Sequence, residues 1–222
     1  MKARVSTALL AGVLCFAPSL RAEPMGAESP QAVVEKLKAA TQEENFGALA
    51  TLLAPEARAE MAKGIWAGTT MMIAMSSAMG EMAVGMGEEM GEQTPEAKQQ
   101  AAKAKAEADA KFGVWKKRYD DVAKKHGLPS LDSSQEADPE ALFAKADHVA
   151  LISDFGGLLQ SFGEEQGSHK KGEGKKIEGG LENLKVDGDR AEATLAGDPI
   201  KFVKIDGRWY IAELPQGPAE EG

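Results

Sequence analysis

Of 222 residues, one is cysteine, three are histidine and 5% are aromatic, and basic residues are outnumbered by acidic ones, 26 to 35. Each shortage excludes something. The single cysteine, Cys15, lies in an amino-terminal apolar stretch, so the chain beyond it forms no internal disulfide and offers no thiolate to a metal. His126, His148 and His169 are far apart and lack metal-ligand spacing, and the chain has no nucleophile motif, glycine-rich phosphate loop or metalloprotease signature. The formal charge is -9, and residues 1–22 carry Lys2, Arg4 and Arg21 with no acid, so the remainder is more acidic still, at -12. A chain without a basic face suits neither nucleic acid nor an anionic membrane surface.

Long hydrophobic runs are also missing. Residues 5–16 give about 12 apolar positions, too few to cross roughly 30 Å of hydrocarbon. Residues 65–87 contain one charge, Glu81, but are rich in Gly and Ser and poor in Leu and Val, a poor composition for a span. What remains, 43% hydrophobic and 27% charged residues with a mean hydropathy of -0.32, describes one globular domain.

Residues 1–22 read as a secretory signal: Lys2 and Arg4 start it, an apolar stretch follows, and cleavage is expected near Ala22. Lipid anchoring through Cys15 is disfavoured, because Leu14 before it is larger than the small residue a lipoprotein signal requires. The expected address is therefore secreted or periplasmic, with a single α+β domain over residues 23–215 and a polar tail over 216–222.

Ser29-Pro30 supplies a cap and a first helical position, followed by the stripe Val33, Val34, Leu37. A second short helix carries Phe46, Leu49, Leu52 and Leu53, and Pro55 opens a third. Eight of the ten methionines then fall between Met61 and Met90, and Met71, Met75, Met79, Met82, Met86 and Met90 step by threes and fours. Thr94-Pro95 starts a long helix with the stripe Ala97, Ala101, Ala104, Ala108, Phe112, Trp115, Tyr119. With the turn at residues 91–94, Met90 opposes Ala97, Met86 opposes Ala101, Met79 opposes Ala108, Met75 opposes Phe112 and Met71 opposes Trp115. The prediction is an antiparallel helical hairpin over about 64–125, arms roughly 40 Å long, with large Met against small Ala along its seam.

Residues 127–138 read as a loop, Asp138-Pro139 as the cap of a helix running to about Phe155, and the Gly-, Lys- and Glu-rich residues 156–176 as a solvated loop. The pattern then changes to period two. Strands are expected at 181–186, 191–195, 200–205 and 209–214, joined at Asp187-Gly188, Gly197-Asp198 and Asp206-Gly207 as an antiparallel meander.

The segments Ser-Pro-Gln-Ala-Val-Val-Glu-Lys-Leu at 29–37, Asn45-Phe46-Gly47-Ala48-Leu49 and Leu53-Ala54-Pro55-Glu56 resemble the opening helices of the nuclear transport factor 2-like fold in small secreted bacterial proteins of unassigned role. Val186-Asp187-Gly188-Asp189-Arg190-Ala191 and the run from Phe202 to Tyr210 are similar to its closing strands. The resemblance covers under half of the mature chain and implies a curved antiparallel sheet against three helices; the long Met-rich and Ala-rich helices depart from it. Members include isomerases, dehydratases and binding modules, so the resemblance does not choose among functions.

Three functional expectations follow. The first is a non-catalytic binding or interaction module for an unknown protein or small molecule, needing no cofactor, whose hairpin presents a contact surface that permits a homodimer. The second is a small-molecule enzyme using His148 with Asp147 or Asp154 as acid and base, the one acid and imidazole grouping near a pocket of such a fold. The third is Cu(I) held by the soft thioethers of Met71, Met72 and Met75 or of Met79, Met82 and Met86. Packing of Met in a helix seam is the plainer account of that stripe.

Overall fold

The computed structural model describes residues 25–89, 95–136, 138–167 and 177–213. The expected signal at 1–22, the basic stretch 169–176 and the tail 216–222 lie outside the described residues. Among the described residues six α-helices precede a four-stranded sheet: α1 Pro30–Gln42, α2 Phe46–Thr51, α3 Pro55–Glu89, α4 Pro95–Lys125, α5 Pro139–Phe143 and α6 His148–Glu165, with a 3-10 turn at Leu131–Glu136, then β1 Leu181–Asp187, β2 Arg190–Leu195, β3 Asp198–Ile205 and β4 Arg208–Glu213. The class is α+β. None of the described helices is long and apolar enough to cross a membrane.

Local chemistry sets the ends. Ser29 accepts from the Ala32 amide and Asn45 from the Ala48 amide, each relieving an orphan N–H of the first turn. The corner between α2 and α3 is fixed by Arg58, whose guanidinium donates to the Ala50 and Leu53 carbonyls at 2.9 and 2.7 Å. Asp206 and Gly207 both take positive φ, 50° and 79°, as a two-residue hairpin between β3 and β4 requires.

The sheet is antiparallel in the order β1-β2-β3-β4. Alternation puts Ala191, Ala193, Leu195, Ile200, Phe202, Trp209 and Ile211 on one face, in a core with Val33, Val34 and Leu37 of α1 and with Leu52 and Leu53. The outer edge of β4 is closed by the chain itself. Trp209 and Ala27 exchange hydrogen bonds of 2.7 and 2.9 Å, while the Ile211 amide donates to Leu52 and its carbonyl accepts from Ala54. A second core joins α3, α4, α5 and α6 through edge-on ring contacts: Trp66 with Phe143, Trp115 with Phe162 and Tyr119 with Phe155, at 5.7, 5.0 and 5.5 Å between centroids. Met61 packs against both cores.

The hairpin of α3 and α4 is present, but one continuous helix reaches from Pro55 to Glu89 to form its first arm. At Met71 and Met75, the stripe positions whose side chains are described, its seam differs from the methionine pairing. Among the described side chains of α3 the buried ones are Ala62, Trp66, Thr69 and Ile73, and Thr70 hydrogen-bonds the Tyr119 hydroxyl of α4 at 2.8 Å. Met71 is 64% exposed, because α6 packs against this part of the hairpin and draws the Ile73 side of α3 inward. The side chains of Met79, Met82 and Met86 lie outside the described residues.

The helix expected from Asp138 to about Phe155 is two helices. Asp147 accepts from the Val149 and Ala150 amides and so starts α6, and His148 Nε2 lies 2.8 Å from the Phe143 carbonyl at the end of α5. α6 then continues through Gly156 and Gly157 to Glu165, because buried Leu158 and Phe162 extend the stripe of Leu151, Ile152 and Phe155. Tertiary burial overrides the helix-weakening glycines there.

Candidate functional site

A cavity of about 380 Å³ opens where α1 ends, α2 begins and α6 passes over α3. Its walls are Ala40 and Thr41 of α1, Phe46 and Leu49 of α2, Met72 of α3, and Leu159, Gln160 and Gly163 of α6, with Glu44 and Asn45 at the bend. That bend is made by Glu44 in the left-handed region, φ 53°, which turns the chain so that Asn45 caps α2. A close approach then sets the spacing of α2 and α6, because a Cβ at residue 156 would stand 2.4 Å from Phe46 Cγ.

Several polar groups around this cavity are bonded within the protein. Thr41 donates to the Leu37 carbonyl at 2.8 Å, Asn45 accepts from Ala48 at 2.9 Å, and the Gln160 amide donates to the Glu44 carboxylate. Most of the wall is methyl, methylene, thioether and ring surface. Cavities of this size with few polar groups are the ordinary form of a small-molecule site.

A second cavity, about 570 Å³, lies past the end of α6 between the hairpin arms. Phe112 and Trp115 of α4 with Phe162 of α6 form its apolar side, and Ser76, Glu107, Lys111 and Gln166 its polar side. Trp115 is held by Phe162 and by the Arg118 guanidinium 4.5 Å from its ring centroid, and Arg118 pairs with Glu165 at 2.9 Å. Met72 borders both cavities.

The acid and imidazole residues singled out in the sequence are not joined to one another. Asp147 caps α6, and the His148 ring meets the Phe143 carbonyl. Asp154 instead lies 2.7 Å from His126 Nε2 and 2.5 Å from Lys125 Nζ. Partial burial pushes the Asp154 carboxyl up, but the hydrogen bonds from Lys125 and His126 outweigh it and hold it below the usual carboxylate value. Of the thioethers, Met72 and Met75 reach the second cavity, while Met71 and Met75 border a shallow groove with Trp66, Thr70 and Ser134. Among the described residues no three His, Cys, Asp or Glu side chains converge as a metal site.

Leu159, Gln160 and Gly163 fell in a stretch read as loop. The signal that could have found them is the step from Phe155 to Leu158, Leu159 and Phe162, which carries the helical period past the two glycines. The chain is thus an α+β protein with two adjoining helical cavities. Compared with protein-family models, curated proteins and solved structures, it finds no match.

Proposed function

We propose that the chain is exported after cleavage near Ala22 and acts as a non-catalytic binding module, taking a small, largely apolar ligand in the 380 Å³ cavity. The observation that carries this reading is that Ala40, Phe46, Leu49, Met72 and Leu159 supply most of the wall, while the Thr41 hydroxyl, Asn45 Oδ1 and the Gln160 amide N–H are bonded within the protein. Burial of apolar ligand area there is favourable by about 25 cal/mol per Å² before the costs of association. The nuclear transport factor 2-like resemblance belongs to this proposal: on that reading α1 and the meander are the shared part of the fold and the hairpin of α3 and α4 is an addition to it. The cavity uses no residue of the sheet.

A native mass spectrum of the chain from residue 23, with and without dodecanol, tests the proposal. A one-to-one adduct that Leu159→Trp abolishes is expected. The bare mass in both spectra would overturn it.

A further inference from the structure

We propose that the two cavities form one site for a single-chain anionic amphiphile, with its alkyl chain in the first cavity and its carboxylate or phosphate head at Lys111 in the second. This rests on the reading of the first cavity as a ligand site, and it adds the ligand's length and charge. Two observations carry it.

The first is the shared wall. Met72 lines both cavities and is 37% exposed. An unbranched thioether side chain with three rotatable bonds swings aside at little cost, so an occupant longer than the first cavity has a path into the second. The chemistry changes along that path, from a wall that is mostly methyl, methylene, thioether and ring surface to one that presents Ser76, Glu107, Lys111 and Gln166 beside Phe112 and Trp115.

The second is a charge. On a helix, Glu107 and Lys111 have the favourable order and spacing for an ion pair. Glu107 instead approaches Lys103 at 4.0 Å, on the other side along the helix. Among the described residues of α4, Lys111 and Lys124 have no ion-pair partner, whereas Lys105, Lys116, Lys117, Arg118 and Lys125 each have one, and of the two only Lys111 lines the second cavity. An unpaired ammonium on the polar side of this cavity, with Glu107 directed toward Lys103, selects an anionic head over a neutral or cationic one.

Calorimetric titration of the chain from residue 23 with dodecanoate, dodecyl phosphate, dodecanol and dodecyltrimethylammonium, all below their micellar concentrations, tests the proposal. One-to-one binding of an anionic probe, about tenfold tighter than dodecanol and tighter still than the ammonium, is expected. Whichever of dodecanoate and dodecyl phosphate binds more tightly identifies the head. Lys111→Gln should bring the anions to the level of dodecanol without altering dodecanol itself. Met72→Phe, at a half-exposed position, should close the path, so that dodecanoate binds no better than hexanoate. Equal affinity for all four probes, unchanged by Lys111→Gln, would overturn this inference and leave the apolar cavity as the site. No binding of any probe would overturn both readings.

Discussion

Gly156 lies against Phe46 so closely that a Cβ at residue 156 would come within 2.4 Å of the ring, whereas a Cβ at Gly157 would meet nothing within 4 Å. The neighbouring glycines of α6 therefore respond oppositely to alanine. In a helix interior Ala is favoured over Gly by roughly 1 kcal/mol, so Gly157→Ala is expected to stabilise by up to that amount. Gly156→Ala has to push Phe46 away, and such overpacking costs roughly 1–3 kcal/mol. Urea denaturation of the two variants compares them directly, and a shift of the same sign in both would contradict the close approach of α2 and α6.

Gly26 closes the edge of the sheet. Its φ is 71°, and a Cβ there would lie 2.8 Å from both the Trp209 carbonyl and the Tyr210 ring. Arg208 and Tyr210 also donate to the Met25 carbonyl. Gly26→Ala should cost roughly 1–3 kcal/mol through this collision and the strained backbone. The specific signature is in hydrogen exchange: the Trp209 amide, which donates to Ala27, should exchange faster in the variant, while the Ile211 amide, which donates to Leu52, should keep its protection. Equal acceleration of both would show that the edge is not closed by two independent segments.

Asp154 makes stability depend on acid. Its folded-state carboxyl titrates below the unfolded value of 3.8, so its contribution is complete above 3.8 and is lost as pH falls through the lower folded value. Asp154→Asn is expected to lower stability at pH 7 by about 1 kcal/mol, since the His126 side chain, 7% exposed, loses a charged partner. Melting curves of both proteins from pH 7 to pH 2 should converge only below 3.8. A gap that closes between pH 7 and pH 5 would assign the effect to a different group.

Much of the architecture was legible because it depends on local signals. Ser29-Pro30, Asn45 and the Asp-Gly turns mark ends, and strict alternation through Ala191, Ala193 and Leu195 marks a sheet with one buried face. The cavities were not legible, because they arise where α6 crosses the hairpin, and α6 itself was cut short in the sequence by Gly156 and Gly157. The packing of α6 also explains the exposure of Met71. Periodicity alone assigns a stripe to a helix but not to a partner, and a two-helix seam places Met71 inward, whereas a three-helix cluster buries Ile73.

The two pictures of the hairpin differ measurably at Met71 and Ile73. If methionines formed the seam, Met71→Ala would leave a hole opposite Trp115 and cost several kcal/mol. In the structure Trp115 packs on Phe162 and Met71 is 64% exposed, whereas Ile73 is 1% exposed in the cluster with Trp66, Tyr119 and Phe155. Truncating a buried Ile costs roughly 2–5 kcal/mol, while a surface change away from special features stays within about 0.5 kcal/mol. Ile73→Ala is therefore expected to lower the urea midpoint sharply and Met71→Ala to leave it almost unmoved. The double variant should match the sum, because the two residues lie on opposite sides of α3, Met71 at the groove with Trp66 and Thr70, and Ile73 in the core. A larger loss at Met71 than at Ile73 would restore the methionine seam and displace α6 from its place against the hairpin.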